Sequence, residues 1–275
     1  MRQVQRTSGP VSIAYEMKGS GPVVVFLHGI GGNRTNWYEQ LNHFGDRFCA
    51  VTWDARGYGD SDDPPQTLKF SDYADDLNRL LDHLKVERAH LVGLSMGGMI
   101  VQDFYGRYAS RVATLSLVDT SSGFGGTSVE VKRDFLSRRL DPLEKGLTPR
   151  DIAPAVVEVL ASKHAPPAVR QQLIASLLAL RVEPYKQALH AIITTDFRPV
   201  LSKITVPTLV IVGDEDVVMP PSASDFLLKN IPGASLVTIP QAGHLTNIEK
   251  PEAFRAALRP FLEQHAPKAS VLSQT

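Results

Sequence analysis

The chain has a single cysteine and no long apolar segment, and both observations limit the classes of protein to which it can belong. Cys49 is the single cysteine among 275 residues, so no disulfide can form within the chain and nothing depends on an oxidising compartment. The first twenty residues contain no apolar run of the kind that secretory signals carry, which predicts a cytoplasmic protein. The longest strongly apolar run is Val23–Leu27, which is too short to span a membrane, so no membrane partner is expected.

An excess of charge of one sign is also lacking. The chain has 29 basic and 29 acidic residues, which gives a formal net charge of zero. Proteins that bind nucleic acids or anionic membranes present an excess of basic residues. The balance therefore predicts no nucleic-acid partner. The length suits one large α/β domain, or one domain that carries an insertion.

Short apolar segments alternate with amphipathic ones over most of the chain. Continuous apolar runs such as Val23–Leu27 predict strands that are covered on both faces of a sheet. Between such runs, residues such as Tyr73, Leu77 and Leu81 recur on one helical face. Strands that alternate with helices predict an α/β fold with a mostly parallel sheet and helices on both of its faces.

Residues 121–195 interrupt this alternation. A glycine-rich segment opens the stretch, and four helical runs follow that are separated by prolines such as Pro142. No run in this stretch has the pattern of a buried strand. We interpret it as a helical cap inserted between two parts of the α/β core, residues 1–120 and residues 196–275.

One pentapeptide has the pattern G-x-S-x-G and stands between an apolar strand and a helical pattern: Gly93-Leu94-Ser95-Met96-Gly97. In a sharp turn from strand to helix, side chains on either side of the serine would clash, which explains the glycines at positions 93 and 97. Such a turn presents the serine hydroxyl, and the helix behind it offers free N–H groups to a developing oxyanion. Ser95 is therefore the predicted nucleophile. A capping serine in a glycine-rich turn is the alternative.

A second glycine-rich turn, residues 28–32, follows an earlier strand. Glycines on both sides of Ile30 let the backbone approach a substrate, so the amides of Ile30 and Met96 are the predicted oxyanion donors. His28 stands at the end of the strand, where a fixed side chain does not suit proton transfer, and we expect it to brace the loop. Without Ser95, the same glycines would indicate an ordinary turn.

A serine nucleophile needs a base, and four histidines follow Ser95 in the chain. His244 lies in a loop directly after a predicted strand and before the last helix, where a residue can reach the same edge of the sheet as Ser95. His164 and His190 fall in the predicted cap, and His265 falls on the last helix, which makes them weaker candidates. His244 is the predicted base.

The base needs a carboxylate that orients it, and three carboxylates stand close together after another predicted strand. Gly213 turns the chain, and Asp216 follows where the loop can curl back toward the histidine. Asp214 and Glu215 are expected to face solvent or to brace the turn. Asp119, which ends the preceding strand, can also reach the histidine and is the alternative. Asp216 is the predicted acid.

These motifs together resemble the α/β-hydrolase superfamily over nearly the whole chain outside the cap. Residues 53–61 resemble a structural turn of that family, and residues 243–251 resemble the segment that carries its histidine. The resemblance implies an eight-stranded, mostly parallel sheet with flanking helices and a helical cap. It also implies a catalytic triad of Ser95, Asp216 and His244.

Within the superfamily, the sequence is most similar to 3-oxoadipate enol-lactonases and related small carboxylesterases. The similarity lies in residues 28–33, 93–98 and 191–198. Enol-lactonases act on a substrate that bears a carboxylate, which implies a cation in the cap. The candidates are Arg133, Arg138 and Arg139. Solvated surface arginines are the alternative interpretation of all three.

The predicted reaction is hydrolysis of a small or medium carboxylic ester or lactone through an acyl-enzyme, with no metal and no cofactor. Apolar residues near the triad predict the substrate pocket: Phe124, Val218 and Leu245, beside Ile30 and Met96. Alternatively, Phe124 and Val218 belong to the core. Ser95 argues against the aspartate nucleophile of haloalkane dehalogenases and most epoxide hydrolases.

Other proteins of this fold use the same triad for different purposes. Hydrolases of C–C bonds in ring-cleavage diketones and cofactor-free perhydrolases are enzymatic alternatives, and a ligand-binding receptor is the non-enzymatic one. The cap chooses between substrates, and its sequence does not identify one. The oligomeric state is not predicted.

Overall fold

A central sheet of eight strands organises the computed structural model, which describes residues 3–266. The predicted core segments, 1–120 and 196–275, extend beyond these residues at both ends. The strands are β1 (Gln5–Arg6), β2 (Ala14–Lys18), β3 (Val23–Leu27), β4 (Cys49–Trp53), β5 (Ala89–Leu94), β6 (Val112–Val118), β7 (Thr208–Gly213) and β8 (Ser235–Ile239). Their order in the sheet is β1-β2-β4-β3-β5-β6-β7-β8. β2 pairs antiparallel with both of its neighbours, and the other neighbouring strands are parallel, which confirms the predicted sheet.

Helices connect the strands and cover the sheet. Those before the cap are α1 (Tyr38–Phe44), α2 (Ser71–His83) and α3 (Met96–Tyr108), with 3₁₀ turns at Arg34–Trp37 and Ala109–Arg111. Between β6 and β7 lie α4 (Val129–Glu144), α5 (Pro149–Leu160), α6 (Pro167–Leu178), α7 (Val182–Ile192) and the short α8 (Arg198–Leu201). The remaining helices are α9 (Pro221–Asn230), α10 (Thr246–Glu249) and α11 (Pro251–His265). Over residues 3–266, no helix is both long and apolar enough to cross a membrane.

Both faces of the sheet are buried, as alternate residues of β3 show. Val25 and Leu27 belong to one apolar cluster together with α2 and α3. Val24 and Phe26 belong to a second cluster together with α1 and α11. A strand that is covered on both faces needs apolar side chains at every position, which explains the continuous apolar run in the sequence.

The stretch between β6 and β7 contains helices and no strand of the described sheet, as the sequence predicts for a cap. Two of its helices begin at Pro149 and Pro167, where the missing N–H removes no helical hydrogen bond. The expected break at Pro142 is wrong, because α4 continues through it to Glu144. Pro142 lies in the last turn of α4. The division of the chain at residues 120 and 195 remains a prediction.

Candidate active site

The candidate site lies at the carboxyl ends of the parallel strands, where ligands bind in open α/β sheets. Ser95 directly follows β5, Asp216 lies in the loop after β7, and His244 lies in the loop after β8. The sheet therefore brings all three predicted triad residues to one edge.

Ser95 occupies a strained turn between β5 and α3. Its backbone φ is +54° and its ψ is −115°, a conformation that residues other than glycine rarely adopt. Two hydrogen bonds hold the turn against the sheet. The Ser95 amide donates to the Val118 carbonyl oxygen at 2.9 Å, and the Thr120 hydroxyl donates to the Ser95 carbonyl oxygen at 2.7 Å.

Glycines around Ser95 permit close backbone contacts. A Cβ at Gly93 would collide with the backbone of Gly97, and a Cβ at Gly97 would collide with the carbonyl oxygen of Leu27, at the end of β3. A Cβ at Gly29 would lie 3.1 Å from the Ser95 Cβ. The loop that follows β3 therefore packs directly against the Ser95 turn.

The three side chains form a continuous hydrogen-bonded chain. His244 Nε2 lies 2.9 Å from Ser95 Oγ, and His244 Nδ1 lies 2.8 Å from Asp216 Oδ2. All three residues are buried. An ionised carboxylate only accepts hydrogen bonds, so Nδ1 carries the proton and Nε2 is free to accept the hydroxyl proton of Ser95.

The Asp216 carboxylate is held by backbone as well as by His244. Its Oδ1 accepts hydrogen bonds from the amides of Val218, at 2.8 Å, and Met219, at 2.9 Å. The two neighbouring acids point elsewhere. Asp214 accepts a long hydrogen bond from a backbone amide, and Glu215 lies 3.2 Å from the ring of His164.

Asp119, the alternative acid, lies behind the triad and forms no hydrogen bond with His244. Its Oδ1 accepts the Gly213 amide at 3.0 Å, and its Oδ2 accepts the amide and the hydroxyl of Thr246 at 3.1 and 2.7 Å. Burial, together with the nearby charge of Asp216, raises the pKa of Asp119. The carboxylate thus connects the loop that carries Asp216 with the segment that follows His244.

Opposing effects act on the pKa of His244. Burial lowers it, because a buried imidazolium loses its hydration. The charge and the hydrogen bond of Asp216, with a further contribution from Asp119, outweigh burial and the nearby charge of Arg139, so the pKa is raised. His244 is therefore a stronger base than an exposed histidine.

The other histidine near the site, His28, braces its loop, as the sequence predicts. Its Nε2 accepts the amide of Ala55 at 3.0 Å, and its Nδ1 donates to the Gly29 carbonyl oxygen at 2.8 Å. Burial lowers the pKa of His28, which favours this neutral form. His190 is exposed on α7, and His265 packs edge to face against Phe261 at the end of α11.

A cavity of about 80 Å³ opens beside Ser95 and His244, between the sheet and the cap. Of the predicted pocket residues, Ile30, Val218 and Leu245 line it. The other two do not. Met96 is completely buried, and Phe124 lies behind the lining residue Phe135, with their rings 4.8 Å apart and edge to face. No group of three or more histidine, cysteine or acidic side chains that could hold a metal ion occurs within residues 3–266.

Comparisons with known proteins identify the family of the chain. The family model described as "Alpha/beta hydrolase family" matches residues 24–257. The chain belongs to the alpha/beta hydrolase family. A 3-oxoadipate enol-lactonase of Acinetobacter baylyi is 28% identical to this alpha/beta hydrolase over 94% of the chain and 96% of its own length.

Two solved structures extend the similarity of this alpha/beta hydrolase to three dimensions. A thermophilic esterase from Thermogutta terrifontis, solved with malate bound, has a TM-score of 0.87 and 30% identity, over 97% of this chain and 100% of that one. An enol-lactonase from Burkholderia xenovorans has a TM-score of 0.83 and 27% identity, over 95% and 100% of the two chains.

One cap arginine of this alpha/beta hydrolase lines the cavity. Arg133 and Arg138 are exposed, whereas Arg139 faces the same space as Ser95. Its guanidinium lies 3.8 Å above the Phe135 ring and donates to the Phe135 carbonyl oxygen at 2.9 Å. Within the described residues it forms no ion pair with a carboxylate. Burial lowers the pKa of Arg139, as expected for a cation without a counter-ion.

We expect Asp119→Ala to lower the free energy of unfolding by about 2–4 kcal/mol, because the buried amides of Gly213 and Thr246 would lose their acceptor. Urea unfolding followed by circular dichroism measures the change. Asp225→Ala, on the exposed face of α9, is the control and should stay within about 0.5 kcal/mol of the wild type. Equal stability of the Asp119→Ala variant and the wild type would contradict the bridging role of Asp119.

Proposed function

We propose that the protein is a carboxylic ester hydrolase that cleaves esters or lactones through an acyl-enzyme on Ser95. The observation that carries the proposal is the hydrogen-bonded chain from Ser95 through His244 to Asp216, which opens onto a cavity beneath the cap. The similarity to an esterase and to enol-lactonases over nearly the whole chain supports the same reaction class.

In the first step, His244 Nε2 takes the hydroxyl proton while Ser95 Oγ forms a bond to the substrate carbonyl carbon. The separation of 2.9 Å between these atoms suits direct proton transfer. Asp216 holds the Nδ1 proton, which keeps the imidazole in the correct tautomer and stabilises the imidazolium. The imidazolium then gives its Nε2 proton to the leaving alkoxide, and the acyl-enzyme remains.

The backbone amides of Ile30 and Met96 are the proposed donors to the oxyanion. Met96 is the first residue of α3, so its N–H has no partner within the helix. Among residues 3–266, neither amide donates a hydrogen bond to another group of the protein. Both amides therefore remain available to a substrate oxygen, and the loss of one such donor typically costs about 3–4 kcal/mol of transition-state stabilisation.

Water completes the reaction by the reverse path. His244 takes a proton from the water while the water oxygen attacks the acyl carbon. The same oxyanion donors stabilise the second tetrahedral intermediate. The proton then passes from Nε2 to Ser95 Oγ as the ester bond to the enzyme breaks. A carboxylic acid leaves, and Ser95 is regenerated.

The charge of the cavity favours a substrate that carries an anionic group. Arg139 is cationic, and no aspartate or glutamate of the described residues lines the cavity. Its charge also acts on Tyr185, which lines the same space, and on His244. A carboxylate on the substrate would supply the counter-ion that Arg139 lacks. Esters and lactones that bear a carboxylate are therefore the proposed substrate class.

The function is tested with a panel of esters and lactones that includes ring-cleavage diketones and an assay for peracid formation. We expect p-nitrophenyl esters with acyl chains from acetyl to hexanoyl to turn over faster than the laurate ester, because the cavity is small. Ser95→Ala should remove turnover. Faster diketone cleavage or peracid formation than ester hydrolysis would favour the alternative reactions, and a single turnover per molecule would favour a receptor.

The raised pKa of His244 predicts the acid limb of the pH profile. The base must be neutral to accept a proton, so kcat/KM should fall as the pH falls through the pKa of His244. That midpoint should lie above the ordinary histidine value of 6.5. Asp216→Asn removes the largest contribution that raises the pKa, so the midpoint should move to lower pH while kcat falls on the order of 10⁴-fold. A midpoint below 6.5 in the wild type would be inconsistent with this electrostatic account.

Arg139→Gln tests the substrate class. Monoethyl succinate and ethyl butyrate have acyl chains of equal length, but only the first carries a carboxylate. We expect the variant to lose about tenfold to a hundredfold in kcat/KM for the succinate ester, since a hydrogen bond to a charged group contributes about 1.5–3 kcal/mol. Ethyl butyrate should change little.

Arg138→Gln is the matched control, because Arg138 is the exposed neighbour of Arg139 on the same helix. This control should hydrolyse both esters like the wild type, as followed by proton release. If the Arg139→Gln variant lost equal activity on both esters, the carboxylate contact would be refuted and ester hydrolysis would still stand.

A further inference from the structure

The histidine loop, residues 240–245 between β8 and α10, is held by groups outside it. The Gly243 amide donates to Glu249 Oε1 at 3.1 Å. The His244 amide donates to the carbonyl oxygen of Leu160 at 2.8 Å, and Leu160 is the last residue of the cap helix α5. The backbone of His244 is therefore bonded directly to the cap.

Glu249 accepts hydrogen bonds from both sides of this junction. Its Oε1 takes the Gly243 amide from the histidine loop, and its Oε2 takes the Ser162 amide from the cap at 3.0 Å. The side chain is buried, with 4% of the residue exposed, and forms no ion pair with a described cation. A buried carboxylate that takes one amide from each segment ties the two segments together.

Gly243 shows how closely the two segments approach. A Cβ at this position would lie 2.7 Å from the Leu160 carbonyl oxygen and 2.7 Å from the Ser162 nitrogen. Backbone atoms cannot move aside as the end of a flexible side chain can. The glycine is therefore needed because the cap backbone packs against the loop.

We infer that Glu249 is a positioning residue that couples the cap to His244, and the inference rests on the proposed role of His244 as the base. The cap then does more than close the cavity, because its backbone sets the position of the imidazole relative to Ser95. A misplacement of about 1 Å in a reacting group can cost on the order of 100-fold in rate. Glu249 acts through the loop and does not touch the substrate.

Kinetics of Glu249→Gln test the coupling. Glutamine keeps the size of the side chain, but its NH₂ group would face the N–H of either Gly243 or Ser162, so one bond is lost. We expect kcat to fall roughly tenfold while KM stays within about twofold. Glu252→Gln, on the exposed side of α11, is the matched control and should match the wild type. An unchanged kcat in a folded Glu249→Gln variant would overturn the inference.

A spectroscopic signature separates positioning from loss of stability. The Nδ1 proton between His244 and Asp216 should give a strongly downfield resonance in the proton NMR spectrum, because Nδ1 and Asp216 Oδ2 are 2.8 Å apart. We expect this resonance to shift or broaden in Glu249→Gln and to remain in place in Glu252→Gln. An identical resonance in Glu249→Gln and the wild type would show that the imidazole has not moved and would refute the coupling.

Hydrogen exchange of backbone amides in the wild-type protein tests the coupling even if Glu249→Gln does not fold or no ester is hydrolysed. The amides of Ser162 and His244 should exchange with a common protection factor, because each is bonded across the contact between the cap and the loop segment and opens when the two separate. Exchange of Ser162 at least a hundredfold faster than exchange of His244 would mean that the bond to Glu249 opens independently of the loop, and the coupling would fall. Failure of ester hydrolysis alone would overturn the proposed function and leave this result to stand.

Discussion

Close contact between the Ser95 turn and the loop after β3 is the constraint on which the rest of the site depends. The backbone of Ser95 lies in a region that costs a residue with a side chain about 1–3 kcal/mol, and the sheet holds it there through Val118 and Thr120. Because Gly97 has no Cβ, the carbonyl of Leu27 fits against the turn. A larger residue at position 97 would push the proposed oxyanion loop away from the nucleophile.

Buried carboxylates hold the backbone of the loops at the site, as hydrogen bonds between neighbouring strands hold the backbone of the sheet. Buried amides outside helices and strands still need acceptors. Asp216, Asp119 and Glu249 each accept two amides, and in each case the amides belong to loops or loop ends at the site. Asp216 also contacts His244, and this one contact separates the orienting acid from the two that hold backbone. Three acids close to one histidine therefore have three different tasks.

The sheet and the shared location of Ser95, Asp216 and His244 at its edge could be predicted from sequence because their signals are local. A continuous apolar run identifies a strand, and the residues at its carboxyl end must share an edge with those of its parallel neighbours. The acid was harder to predict, because Asp119 and Asp216 both follow strands that end at that edge. Only the hydrogen bonds distinguish them: Asp216 faces the imidazole, whereas Asp119 faces Gly213 and Thr246.

The cap could be predicted as helical but not in its details. Arg138 and Arg139 are neighbours in sequence and lie about 100° apart around α4, so the packing of that helix alone decides which of them faces the cavity. Phe124 was expected in the pocket, but Phe135 of α4 lines the cavity instead, and Phe124 packs against its ring. No periodicity in the sequence specifies how a helix is rotated about its axis against the rest of the fold.

The cap contacts the site through a side chain and through backbone groups, and substitutions in the cap affect these two kinds of contact differently. Arg139 contributes through its side chain, so a substitution there changes the charge of the cavity directly. Leu160 and Ser162 contribute through backbone groups, which most substitutions at those positions would leave in place. The support of His244 is therefore insensitive to the side chains of the cap, provided that position 243 stays glycine. A cap built in this way can acquire a new substrate preference without displacing the imidazole from Ser95.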